Sequence, residues 1–161
     1  MIRNFFLILA SISFIVVIGG AVYEHLALVP VWTSAVPASL SVFQGEYRLT
    51  PEKFWMLIHP ITIVLMVIAL IANWATDRRM LVVGTLIGYV IVLGVTALYF
   101  VPELMALTQT SFSETVDAAL TARANRWELL SLVRLGFLFL LAIGLLSALA
   151  KPTDTRSYRR F

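Results

Sequence analysis

FWMLIHPITIVLMVIALIANWA, residues 54–75, carries no Asp, Glu, Lys or Arg. About 20 such residues in a helix match the hydrocarbon thickness of a bilayer. Three other segments read the same way: about 5–28, 80–101 and 127–150. The third meets Pro102, and Pro30 and Pro152 lie just beyond the first and fourth. The predicted architecture is an all-α four-helix transmembrane bundle in one domain covering residues 1–161.

Composition agrees. Hydrophobic residues make up 60% of the chain and charged residues 13%, and the mean hydropathy is +0.93. A soluble domain is nearer half apolar and a quarter charged, so lipid has to be the solvent for the excess. Cysteine is absent, which excludes thiol–disulfide chemistry and thiolate metal ligands. No glycine-rich phosphate loop, repeat or nucleic-acid signature is present, so no nucleic-acid partner is expected.

The basic residues predict an orientation. Arg3, Arg78, Arg79, Lys151, Arg156, Arg159 and Arg160 fall on one side, while Arg48, Lys53, Arg123 and Arg126 fall on the other. By the positive-inside rule both termini are cytoplasmic, in a bacterial inner membrane. Gly19-Gly20-Ala21 resembles a signal-peptide cleavage site. The apolar run before it exceeds a secretory h-region, so an intact first span is expected.

The two outer loops carry signals for short amphipathic helices. In the first, Leu40 and Phe43 suggest an interfacial turn over residues 39–43, and Thr50, Pro51 and Glu52 read as N-cap and first turn of the second span. In the second, Ser111 and Glu114 match a capping box. Val116, Leu120 and Ala124 would then share one face of a helix ending near Asn125.

Polar residues in a lipid-embedded helix turn toward protein. Thr85, Tyr89, Val92, Thr96, Tyr99 and Glu103 form one stripe on the third span at helical spacing. Gly84 and Gly88 form a small-residue pair on a neighbouring face, suited to close packing. In the second span Glu52, Trp55, His59, Thr62 and Met66 share a face, with Pro60 expected to loosen the turn near Met56. The first span ends on Glu24 and His25. In the fourth, Trp127, Ser131 and Arg134 share a face. An intramembrane arginine stays protonated and demands an anion. Glu24 and Glu103 are the partners at similar depth.

Glu24, His25, His59, Glu103 and Arg134 therefore converge, by expectation, on an outward-facing polar cavity. Three chemistries fit. His59 with Glu24, His25 or Glu103 could hold copper, iron or zinc. Alternatively, with or without a metal, His59, Glu24 and Glu103 could act as acid and base on a lipophilic phenol or quinol. Arg134 would then steady an oxyanion, and Tyr99, Trp127 and Trp55 would form the aromatic lining. A bis-histidine haem on His25 and His59 ranks last. The non-enzymatic reading is a membrane accessory or lipid-binding protein in which the Glu–Arg–His cluster is structural.

YEHLALVPVW (residues 23–32), FWMLIHP (54–60), YFVPE (99–103) and RWELLSLVR (126–134) resemble the anthrone oxygenase-like family of small four-helix membrane proteins. The resemblance implies oxidation of a polyphenolic ring by molecular oxygen without an obvious organic cofactor. Its substrate would be an electron-rich aromatic entering from the lipid.

Overall fold

The computed structural model describes residues 1–152. Arg156, Arg159 and Arg160, counted above in the basic set, lie outside the described residues. Four helices, Ile2–Ala27, Glu52–Ala72, Arg79–Thr108 and Ala118–Ala150, are long and apolar enough to cross a membrane. They form the expected all-α four-helix bundle.

In chain order, α1 (Ile2–Ala27) is followed by a short α2 (Val29–Thr33) and a 3-10 turn over Ala38–Phe43. Next come α3 (Glu52–Ala72), α4 (Arg79–Val95), a π-helical turn over Thr96–Phe100, α5 (Val101–Thr108) and α6 (Ala118–Ala150). Helix α1 packs on α3 and α6, and α4 packs on α6 and, more sparsely, on α3. Arg3 and Asn4, Lys151 and the turn at 73–78 share one end of the bundle. The two long loops cover the other, called here the loop end.

Hydrocarbon offers helices no hydrophobic reason to associate, so close packing and interhelical hydrogen bonds hold them together. Leu7, Ala10, Phe14 and Val17 of α1 meet Met66, Val82, Tyr89, Leu138 and Leu145 in the main core. The Ser13 and Thr62 hydroxyls bond across α1 and α3 at 2.7 Å, a contact worth roughly 0.6–2 kcal/mol in a membrane interior. Of the glycine pair, only Gly88 serves close packing. A Cβ there would lie 2.6 Å from Leu141, whereas one on Gly84 would meet nothing within 4 Å.

A second core closes the loop end. Trp32, Val36 and Leu40 of the first loop pack on Phe100, Leu107, Ala124 and Trp127. Glu128 Oε2 accepts from the Thr33 hydroxyl at 2.7 Å. The Asp117 amide donates to the Val36 carbonyl at 2.8 Å.

Several local expectations change. The helix expected to end near Asn125 is instead the beginning of α6, which runs unbroken for 33 residues. Residues 118–126 are alanine-rich and contain neither Gly nor Pro, so nothing stops the helix. Its N-cap is Asp117, whose carboxylate accepts from the Ala119 and Leu120 amides, and no helix starts at Ser111. Helix α3 starts at Glu52 with Pro51 in the cap position and no side-chain cap, and it continues through Pro60. Helix α1 ends at Ala27, and Pro30 falls in the first turn of α2, where a missing amide hydrogen costs nothing.

The largest change is at Pro102. The third span does not stop there but continues to Thr108. Proline lacks an amide hydrogen and its ring collides with the carbonyl one turn earlier. The wide turn over Thr96–Phe100 removes that conflict, with the Val101 amide reaching back to the Thr96 carbonyl. One extra residue in the turn rotates everything beyond it. Phe100 takes the buried position and Tyr99 is 38% exposed.

At the terminal end, Arg78 is a buried clamp. It is 4% exposed. Its guanidinium donates to the Lys151 carbonyl, the Leu149 carbonyl at 3.2 Å and Asn4 Oδ1 at 2.6 Å. Arg78 is one of the basic residues counted for orientation, and in the fold it ties the 73–78 turn to both α1 and α6.

Candidate functional site

Glu24 lies three residues from the end of α1, and Trp55 three residues inside the start of α3. The antiparallel pairing of these helices brings the two to one level. Trp55 Nε1 donates to Glu24 Oε1 at 2.8 Å. One turn along α3, the His59 ring stacks on the Trp55 indole at 5.2 Å between centroids. His59 Nδ1 and the Tyr89 hydroxyl are 2.7 Å apart, and Tyr89 is fully buried against Phe14. A continuous polar and aromatic path, Glu24–Trp55–His59–Tyr89, thus joins α1, α3 and α4.

His59 Nε2 has no hydrogen-bond partner among the described residues. The buried side-chain atoms without a partner are His25 Nε2 and Asn73 Oδ1. The free His59 nitrogen therefore keeps accessible surface.

Arg134 comes to this level from α6 and makes no ion pair among the described residues. Its guanidinium donates to Thr96 Oγ1 at 3.1 Å and Ser131 Oγ at 2.8 Å, and lies 4.2 Å from the centre of the Phe100 ring. The π-helical turn completes this arrangement, since it turns Phe100 inward next to the Thr96 hydroxyl that the stripe of α4 already carries toward α6. Arg134 also lines a groove of about 470 Å³ between α4 and α6. The other walls include Val92, Tyr99, Phe100, Val133 and Phe137. Arg134 is the only charged residue among those lining the groove.

The structure brings together Glu24, Trp55 and His59 from the expected set, and it places Arg134 with Tyr99 in the wall of a groove that these three do not line. It does not bring in Glu103, His25 or Trp127. Rotation beyond the π turn carries Glu103 to Arg123, which it grips with two hydrogen bonds of 3.0 and 2.9 Å at the rim. The pairing of Glu103 with Arg134 is corrected accordingly. His25 Nδ1 bonds its own helix at the Ala21 carbonyl, 2.8 Å away. Trp127 is buried and donates to the Phe100 carbonyl at 2.9 Å, so it braces the π turn rather than lining the groove.

Among the described residues no three His, Cys, Asp or Glu side chains converge to hold a metal. The set His59, Glu24, His25 and Glu103 is thus dispersed, for the reasons just given, with Trp55 interposed between Glu24 and His59. Sequence reading missed Tyr89, Thr96 and Phe100 as site residues. Spacing placed the first two on the right stripe, but their partners were invisible. Phe100 lay off the stripe until the π turn moved it.

Comparison of the chain with family models, curated proteins and solved structures finds no match.

Proposed function

We propose that this is an integral membrane protein that takes a lipophilic phenol- or quinol-type aromatic from the bilayer and receives its oxygen at Arg134. One observation carries the reading: Arg134, with no carboxylate in contact among the described residues, is the one charged residue in the wall of an otherwise apolar groove. Five N–H donors in a fixed plane suit an oxyanion, and Tyr99, Phe100 and Phe137 supply ring surface for an aromatic body. The charge asymmetry supports a bacterial inner-membrane location with both termini cytoplasmic, which puts the site in the outer leaflet.

The enzymatic form of the proposal is oxygenase-like, as the sequence resemblance implies. A ring methylene next to a phenolic system loses a proton to the aqueous side, and the resulting oxyanion rests on Arg134. Molecular oxygen takes the electrons, and methylene plus O₂ gives a ring carbonyl plus water. The test is oxygen uptake by purified protein in nanodiscs supplied with an anthrone. Wild type should consume oxygen, and Arg134→Met should lower the rate about 100-fold or more. No uptake by the wild type removes the oxygenase reading.

A non-enzymatic binder is the second reading, favoured because His59 and Tyr89 occupy each other and no three-ligand metal set forms among the described residues. Saturable phenol binding that depends on Arg134, without oxygen uptake, selects it. Equal binding by wild type and Arg134→Met removes both.

A further inference from the structure

A second groove, of about 770 Å³, opens between α1 and the start of α3. Gly19 leaves it open on the α1 side, where Gly20 instead seats the Phe54 ring, and Tyr23, Glu24, Thr50 and Phe54 line it toward the loop end. Trp55 holds Glu24 by Oε1. The other oxygen, Oε2, has no hydrogen-bond partner among the described residues and is not one of the sealed buried atoms. The Thr50 hydroxyl also makes no side-chain hydrogen bond there. Both acceptors therefore remain available beside an apolar trough.

We infer that this groove binds an aminophospholipid of the phosphatidylethanolamine class, its ammonium on Glu24 Oε2 and one acyl chain along Gly19 and Val16. The argument is charge complementarity. A primary ammonium presents three donors and one positive charge to a carboxylate that has an oxygen to spare. Glu24 lies in the last turn of α1, where the helix dipole also favours a cation. Tyr23 and Phe54 add aromatic surface that attracts it. Thr50 and Pro51 stand at the opposite, positive end of a helix, the start of α3, on the side where the lipid phosphate would fall. From Val16 to Leu28 the α1 wall measures roughly 18 Å at 1.5 Å per residue, long enough for a headgroup and a good part of a chain.

The site shares no lining residue with the Arg134 groove, and its test is separable. Detergent-purified full-length protein is titrated with dilauroyl phosphatidylethanolamine, phosphatidylcholine and phosphatidylglycerol, and bound lipid is read by native mass spectrometry. The ethanolamine lipid should bind about tenfold more tightly than the other two. The choline head has no N–H donor, and the glycerol head has no cation. Glu24→Gln should erase that preference. Gly19→Leu fills the trough without touching Glu24, since a Cβ on Gly19 meets nothing within 4 Å. It should abolish ethanolamine-lipid retention, while the melting temperature and Arg134-dependent phenol binding stay at wild-type values. Equal affinity for all three lipids overturns the inference, and so does wild-type retention by both variants.

Discussion

The Trp55 indole bonds Glu24 through its nitrogen and stacks on His59 through its face. One side chain of α3 thereby fixes the carboxylate at the end of α1 and the imidazole one turn deeper. Trp55→Phe keeps a stacking ring and removes the donor. Hydrogen bonds to charged groups are worth about 1.5–3 kcal/mol, so the variant should be less stable by about 2 kcal/mol. Thermal melts in detergent of Trp55→Phe, Glu24→Gln and the double variant form a cycle that isolates the contact. Strict additivity would show that the two groups do not interact.

Arg134 is held by two hydroxyls and a ring rather than by a carboxylate. A desolvated charge without direct ionic compensation burdens the fold, and apolar replacement of buried ions is often neutral or stabilising. Arg134→Met should therefore melt at or above the wild-type temperature while phenol binding is lost. A large drop in melting temperature would mean that the arginine is a structural keystone and not a ligand group.

Arg78 makes the opposite case. Its three bonded partners are the Lys151 and Leu149 carbonyls and Asn4. Arg78→Ala should cost on the order of 3 kcal/mol, because a buried network loses its only common donor. Lysine should restore little, since a single ammonium cannot reach three separated acceptors. Arg79, half-buried and resting against Trp74, is the control, and its alanine variant should cost under about 1 kcal/mol. Equal melting curves for the two alanine variants would refute the clamp.

Gly88 and Gly84 separate packing from spacing. Gly88→Leu pushes into Leu141 at the α4–α6 contact and should destabilise by about 1–3 kcal/mol, as overpacking does. Gly84→Ala faces open space and should be neutral or gain up to about 1 kcal/mol from helix propensity. A chemical denaturation series on both reads the difference directly.

Much of the site's composition was legible because lipid punishes isolated polar groups. Glu24, His59 and Arg134 stand out in apolar spans, and hydrocarbon leaves them no alternative to facing protein. Their partners were less legible. Period and spacing assign a residue to a face but do not say which of several neighbours it meets. Glu103 was the natural anion for Arg134 on a regular helix, and one added residue in the turn at 96–100 sent it to Arg123 instead.

By itself the sequence determined the solvent, the count of spans and the level at which ionisable groups gather. Those follow from transfer energies summed residue by residue, which need no knowledge of neighbours. Only the tertiary structure decided that Trp55, not Arg134, bonds Glu24, that Arg78 is interior, and that Arg134 opens onto a groove. Each of these depends on the rotation of one helix against another, and contacts between helices, such as Leu141 packed against Gly88, set that rotation, which no single segment encodes.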